Sequence, residues 1–222
     1  MVEIIKKHDF IELEYTGKLN DGTVFDTTSE KVAKDNHFHN PKMSFGPVII
    51  CVGENQVLPG LDEALIEKEL SKEYTVDVPA EKAFGKRDVK KMRIVPIAEF
   101  KKHKVQPQPG LQIDMDGEMG IITRIASGRV IVNFNHPLAG KEVAYTFKIN
   151  RKVTDYQEQI VSFLGMVLRL KKEAFKVVVE DDKATIEMPA GFPQQFLDML
   201  GKKLTEITRL KGIEMKSTSL SQ

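Results

Sequence analysis

The chain has 222 residues, a single cysteine, no tryptophan and no apolar run near the roughly 18 residues that span a bilayer. With Cys51 alone, an intrachain disulfide is excluded, and the residue reads as a small buried hydrophobe in a strand. Thirty-three basic and 32 acidic residues leave a formal net charge of +1, so whole-molecule charge points to neither nucleic acid nor membrane. The start, Met1-Val2-Glu3-Ile4-Ile5-Lys6-Lys7, lacks the apolar stretch of a signal peptide, and a cytoplasmic location is expected. No glycine-rich phosphate loop precedes a helix, and no His-Glu-x-x-His is present. His37-Phe38-His39 lies in a polar stretch and reads as solvated loop. Asp62-Glu63 suits a helix start and Asp181-Asp182 a turn. No metal or cofactor is expected, and a site built on charged groups is poorly supported.

What is present is a soluble-protein composition, 41% hydrophobic and 29% charged, in segments of changing character. Ile11, Leu13 and Tyr15 alternate with Glu12 and Glu14, the signature of a half-buried strand. Asn20-Asp21-Gly22 marks a hairpin turn, Thr23–Thr27 returns as a strand, and residues 29–46 read as a polar loop or bulge. Val48-Ile49-Ile50-Cys51-Val52 is a β-branched strand. Leu61 to Lys68 forms a short helix with acids in its first turn, and Tyr74–Val78 alternates again. Antiparallel strands around one short helix make an α+β arrangement.

Residues 86–104 differ, with eight basic residues against Asp88 and Glu99. Strands are expected over 111–115, 120–125 and 129–134, so this block reads as a small β-rich unit. Val143–Ile149 resumes the first pattern. Thr154-Asp155-Tyr156-Gln157 fits a capping box before a helix carrying Ile160, Phe163, Leu164, Val167 and Leu168. Strands over 175–180 and 184–188, a helix over 192–210 with Gly212 as its C-cap, and a last strand over 213–216 complete the chain, whose final six residues are expected to fray.

An apolar constellation with few polar handles remains: Tyr15, Phe25, Val48, Val57, Leu58, Leu61, Phe84 and Tyr145, with Asp26 beside Phe25. All of these but Val48 and Tyr145 fall in five words, the last of which adds His136: Tyr15-Thr16-Gly17; Gly22 to Thr27; Gly53 to Leu65, containing Gln56-Val57-Leu58-Pro59-Gly60; Pro79-Ala80-Glu81-Lys82-Ala83-Phe84-Gly85; and Asn135-His136-Pro137-Leu138-Ala139-Gly140-Lys141. In that order they resemble the FKBP family of peptidyl-prolyl isomerases. The block between the last two words looks like the insert-in-flap chaperone domain of the SlyD-type branch, and the extra C-terminal region is similar to that of long-type archaeal FKBPs.

The resemblance implies an antiparallel half-barrel around a short helix (1–86 with 134–151), an inserted β-rich flap domain (87–133) and a C-terminal α/β domain (152–222). It implies catalysis of cis/trans isomerisation at X–Pro bonds, with Tyr15, Phe25 and Asp26 on one side of a cleft. Val57 and Leu58 hold the peptide through their backbone, Leu61 forms the floor, and Phe84, His136 and Tyr145 complete the set. Phe147 is the fallback for Tyr145. Leu61 stands where many relatives have Trp, which implies a shallower floor and weaker macrolide inhibitor binding. Phe84 stands where a Tyr hydroxyl is common. Substrate contacts are further expected from Val48, Ile50, Met115, Met119 and Ile122. The expected partners are unfolded or proline-containing polypeptides, a macrolide inhibitor in the cleft, and a second copy through the C-terminal region. Membrane and nucleic acid are not expected partners. The alternative is a docking module without turnover.

Overall fold

The computed structural model describes residues 3–40 and 43–218 and divides into two compact units, Met1–Val78 with Val143–Gln222 and Pro79–Glu142. Residues 219–222 of the tail expected to fray lie outside the described residues. The chain opens with β1 (Phe10–Leu19), β2 (Val24–Thr27), α1 (Glu30–Asp35), β3 (Val48–Cys51), α2 (Pro59–Ala64) and β4 (Glu73–Val78). The insert holds β5 (Met92–Pro96), α3 (Ile97–Lys102), β6 (Gln112–Met115), β7 (Glu118–Ala126) and β8 (Arg129–Asn133). The chain then returns through β9 (Val143–Lys152), α4 (Tyr156–Leu168), β10 (Lys176–Glu180), β11 (Lys183–Pro189), α5 (Gln194–Thr208) and β12 (Gly212–Thr218).

β1 organises the first unit. One edge pairs along its length with β9; the other pairs with β3 in its first half and β2 in its second. β9 also carries β4, completing a curled five-stranded antiparallel sheet. Alternation puts Ile11, Leu13, Val143, Tyr145, Phe147 and Ile149 on one buried face, and α2, beside β4, contributes Leu61 and Leu65. The polar stretch 29–46, expected as loop, contains α1. Ser29 caps it by accepting the Val32 N–H, and Glu30 meets Lys34 at 2.6 Å one turn on.

The C-terminal region is a three-stranded sheet in the order β10-β11-β12, with β11 and β12 parallel across α5. It shares a core with the half-barrel. Phe10, Cys51 and Val153 are buried in one cluster with Ile160, Phe163, Leu164 and the apolar face of α5, and Ile49 packs against it. Arg151 ties the two parts at the surface, donating to Glu12 and, with both terminal nitrogens, to Glu158. Two termini differ from the sequence reading. The N-cap of α4 is Asp155, which accepts the Glu158 N–H, one residue later than the expected box. Arg209, not Gly212, takes the left-handed position after α5, and Gly212 begins β12.

The insert is a four-stranded sheet ordered β5-β8-β7-β6 with α3 on one face. Val95, Ile122, Val130 and Val132 pack with Phe100 of α3. Alternation turns Ile94, Ile131, Ile121 and Met119 to the other face, where Ile94 and Met119 remain 62% and 61% exposed. At its base, Asn135 accepts the Asp88 N–H and donates to the Asp88 carbonyl, while the Gly140 N–H donates to Gly85. β5 and α3 fall within the basic 86–104 run, where charge hid the alternation.

Cutting the chain after Arg151 uncovers Phe10, Ile49 and Cys51. At about 1.5–3 kcal/mol per large buried apolar side chain, the remainder should lose roughly 5 kcal/mol, a large part of a typical domain's stability. Thermal melting of residues 1–151 against the full chain checks this; an unchanged melting temperature would contradict a shared core.

Candidate active site

The aromatic cluster of the first unit is built on two departures from regular pairing. Between Gly17↔Asp26 and Lys18↔Val24, β2 holds one extra residue, Phe25. On a regular strand Phe25 and Asp26 would face opposite ways. The bulge lets both turn to the buried face, where Phe25 meets Tyr145 edge-on at 5.8 Å and Asp26 accepts hydrogen bonds from Tyr15 and Tyr145. Tyr15 and Tyr145 are themselves edge to face at 5.7 Å. The second departure is Gly17. A Cβ there would lie 2.8 Å from Phe25 Cζ and 2.9 Å from the Tyr145 ring, so the rings can close over this backbone only because it carries no side chain. Of the two candidates on β9, Tyr145 joins the cluster, while Phe147 stacks on Tyr74 at 5.6 Å.

The segment entering α2 supplies the next part. Pro59 begins the helix without needing an N–H donor. Asp62 is buried and accepts the N–H groups of Gly53 and Asn55 at 2.9 and 2.8 Å, tying the preceding turn to the helix. Gln56 accepts the Cys51 N–H at 2.7 Å. Val57 and Leu58 follow, half-buried, and Leu61 in the first turn of α2 is wholly buried.

Phe84 and His136 meet in the insert's unit as stacked rings, 4.5 Å apart and 1° from parallel, with His136 Nδ1 accepting the Leu138 N–H. The remaining expected substrate contacts divide by burial. Val48 is half-buried and Met119 exposed. Ile50 and Ile122, 1% and 0% exposed, are core residues, and Met115 packs against the insert's core. Ile121 precedes Ile122 and faces the other way, with Ile94 and Ile131. Another open groove, about 780 Å³, lies on the opposite face of the half-barrel sheet between Thr16, Thr146, Val32 and Phe45. Its charges are scattered and of both signs, and it lacks the aromatic enclosure around a carboxylate that marks the Tyr15–Asp26–Tyr145 side.

Comparison with known proteins agrees with this geometry. Residues 2–101 match the family described as FKBP-type peptidyl-prolyl cis-trans isomerase, and residues 93–138 match the FKBP26 IF domain. The short-type peptidyl-prolyl cis-trans isomerase of Methanocaldococcus jannaschii is 36% identical over 149 residues, covering 67% of this chain and 94% of that protein. SlyD of Treponema pallidum is 25% identical over 151 residues, 65% of this chain and 77% of its own. SlyD of Helicobacter pylori is 26% identical over 108 residues, 46% and 57% respectively.

Burial governs the ionisation of the cluster. It raises the Asp26 pKa above the ordinary 3.8, although hydrogen bonds from Tyr15, Thr27 and Tyr145 pull the other way. Burial, with the charge of Asp26, also raises both tyrosines, which stay protonated donors. Because the folded-state pKa of Asp26 lies above the unfolded one, the folded protein binds this proton more tightly. Its contribution to stability therefore rises as pH falls through the folded-state pKa and levels off below the unfolded value. Asp26→Asn should remove that pH dependence. Melting curves between neutral pH and pH 4 for both proteins test this; identical pH profiles would show that Asp26 is not the group responsible.

Proposed function

The chain belongs to the FKBP-type peptidyl-prolyl cis/trans isomerases, and on that premise we propose that the Tyr15–Phe25–Asp26–Tyr145 cluster isomerises X–Pro bonds while the insert captures the unfolded chains that carry them. The observation that carries the catalytic reading is a carboxylate held between two tyrosine hydroxyls in an aromatic wall, with no nucleophile needed. Amide resonance opposes rotation about X–Pro with a barrier of roughly 18–20 kcal/mol, and the uncatalysed step takes tens to hundreds of seconds and can limit folding. The twisted amide has lost that resonance and is less dipolar than the planar one. An apolar wall that replaces water around the bond therefore favours the twisted form over the planar one. Asp26 orients the rings and adds electrostatic stabilisation. The backbone of Val57 and Leu58 holds the peptide, and Leu61 supports it from below.

The capture reading rests on the insert's uncovered sheet face. Ile94 and Met119 are exposed beside Ile121 and Ile131. Exposed isoleucine and flexible methionine side chains set among polar neighbours suit chains of many sequences, and holding a chain raises the effective concentration of its prolines at the cleft. The two roles separate in one experiment. Asp26→Ala should lower kcat/KM about tenfold on a tetrapeptide and in proline-limited refolding alike, the loss of a charge-assisted hydrogen bond or two. Ile94→Ser with Met119→Ser should lower only the refolding rate. Equal losses on both substrates in the double variant would sink the capture role, and unchanged turnover in Asp26→Ala would sink the cleft assignment.

Pairing of two copies through the C-terminal region is part of the same reading. β12 pairs with β11 on one edge, and a groove of about 1240 Å³ runs between it and α5. A two-fold antiparallel pairing centred on Met215 sets Glu214 of each copy opposite Lys216 of the other. Moving the register one step either way sets Glu214 against Glu214 or Lys216 against Lys216. Opposite charges across a strand pair are worth about 0.2–1 kcal/mol each and like charges cost as much. Sedimentation should give a dimer for the full chain, a monomer for Glu214→Lys, and a dimer again when Lys216→Glu is added. A monomeric full chain, or a charge swap that fails to restore the dimer, would refute this pairing.

A further inference from the structure

The turn that leads into α2 is anchored from the C-terminal region as well as from within the half-barrel. Asp62 and Gln56 hold Gly53, Asn55 and Cys51 from inside. Glu54, in the middle of this turn, points its carboxylate the other way. Only 10% of that side chain is exposed, and its Oε1 lies 2.8 Å from Lys203 Nζ and 3.4 Å from His8 Nε2. Lys203 stands on α5, whose apolar face is buried in the core shared with Phe10 and Cys51, so its position is set by packing. It also reaches Glu206 at 3.5 Å, one turn along the same helix.

We propose that Lys203 is a positioning residue of the isomerase site, fixing through Glu54 the turn from which the Val57 and Leu58 backbone presents itself to the peptide. The inference rests on the assignment of Val57 and Leu58 to peptide holding. Glu54 is three residues from Val57, and little slack remains between them because Gln56 and Asp62 hold the intervening backbone. Removing Lys203 leaves a nearly buried carboxylate without its main counter-charge. A buried charge stripped of its partner is strongly unfavourable, so the turn must shift to let Glu54 reach water. Small displacements of a positioning group are costly: about 1 Å can lose up to about a hundredfold in rate. On this view the C-terminal region is part of the enzyme as well as a neighbour of it.

The test uses tetrapeptide turnover by the full chain. Lys203→Met should raise KM about fivefold with kcat little changed, because the lost function is holding the peptide. Lys203→Arg should restore KM to within about twofold, since a guanidinium can still reach Glu54. Lys211→Met removes a surface pair to Asp182 in the same region and should leave both constants unchanged. Combining Lys203→Met with Glu54→Gln should cost less than the sum of the two. An unchanged KM in Lys203→Met, a rise matched by Lys211→Met, or failure of arginine to rescue would overturn the proposal. Asp26→Ala measured alongside separates the two readings. If it loses turnover while Lys203→Met keeps its KM, the brace alone falls; if it too is unaffected, the cleft assignment falls and the brace with it.

Discussion

The close approach of two aromatic rings to the backbone of Gly17 is the constraint on which the candidate site depends. Opposite this glycine, β2 carries one residue too many for regular pairing, and Phe25 and Asp26 therefore turn to the same face. Phe25 and Tyr145 close over the space a side chain would fill. Asp26 is then enclosed far enough to raise its pKa, yet it keeps two tyrosine donors that hold it in place. Without the bulge, the carboxylate and the phenyl ring would lie on opposite faces of one strand.

The sheet that builds this cluster is used on both faces. Its inner face carries the aromatic residues; on its outer side Phe10, Ile49 and Cys51 seat the C-terminal helices. Strand alternation assigns each residue to one role or the other, so Ile50 and Cys51, adjacent on β3, serve different cores. The same rule organises the insert, where Ile122 supports α3 and Ile121 belongs to the uncovered face. One short strand serves two neighbours.

Much of the half-barrel was legible in the sequence because its strands alternate cleanly and its turns carry Asn-Asp-Gly, Pro-Gly and Gly-Lys punctuation. Tyr15, Phe25 and Asp26 were singled out by the order of the words they sit in, and Tyr145 as an aromatic of the strand after the last word; the structure brings these four together. Their common orientation was not legible. Adjacent residues on a strand should diverge, and nothing in Gly22–Thr27 announces a bulge. β5 was hidden for a related reason: lysines and arginines flank Ile94 and Val95, and charge of one sign masks a short alternation. The helix ends show the limit of residue preference. Arg209 occupies a left-handed position that glycine would take at less cost, because the chain must turn there to bring Gly212 and Ile213 alongside Lys183 and Ala184. Tertiary pairing set that boundary, and it lies outside the local sequence. Lys203 was equally invisible, since its partner Glu54 lies on a different element far back in the chain.

The dependence of the site on the bare backbone at Gly17 is tested most directly by tetrapeptide turnover in the Gly17→Ala protein. A methyl group there must push the Phe25 and Tyr145 rings apart, and overpacking of this kind typically costs about 1–3 kcal/mol. The account predicts a fall in kcat/KM of about tenfold or more, with the protein still folded. Turnover equal to that of the unaltered protein would contradict it.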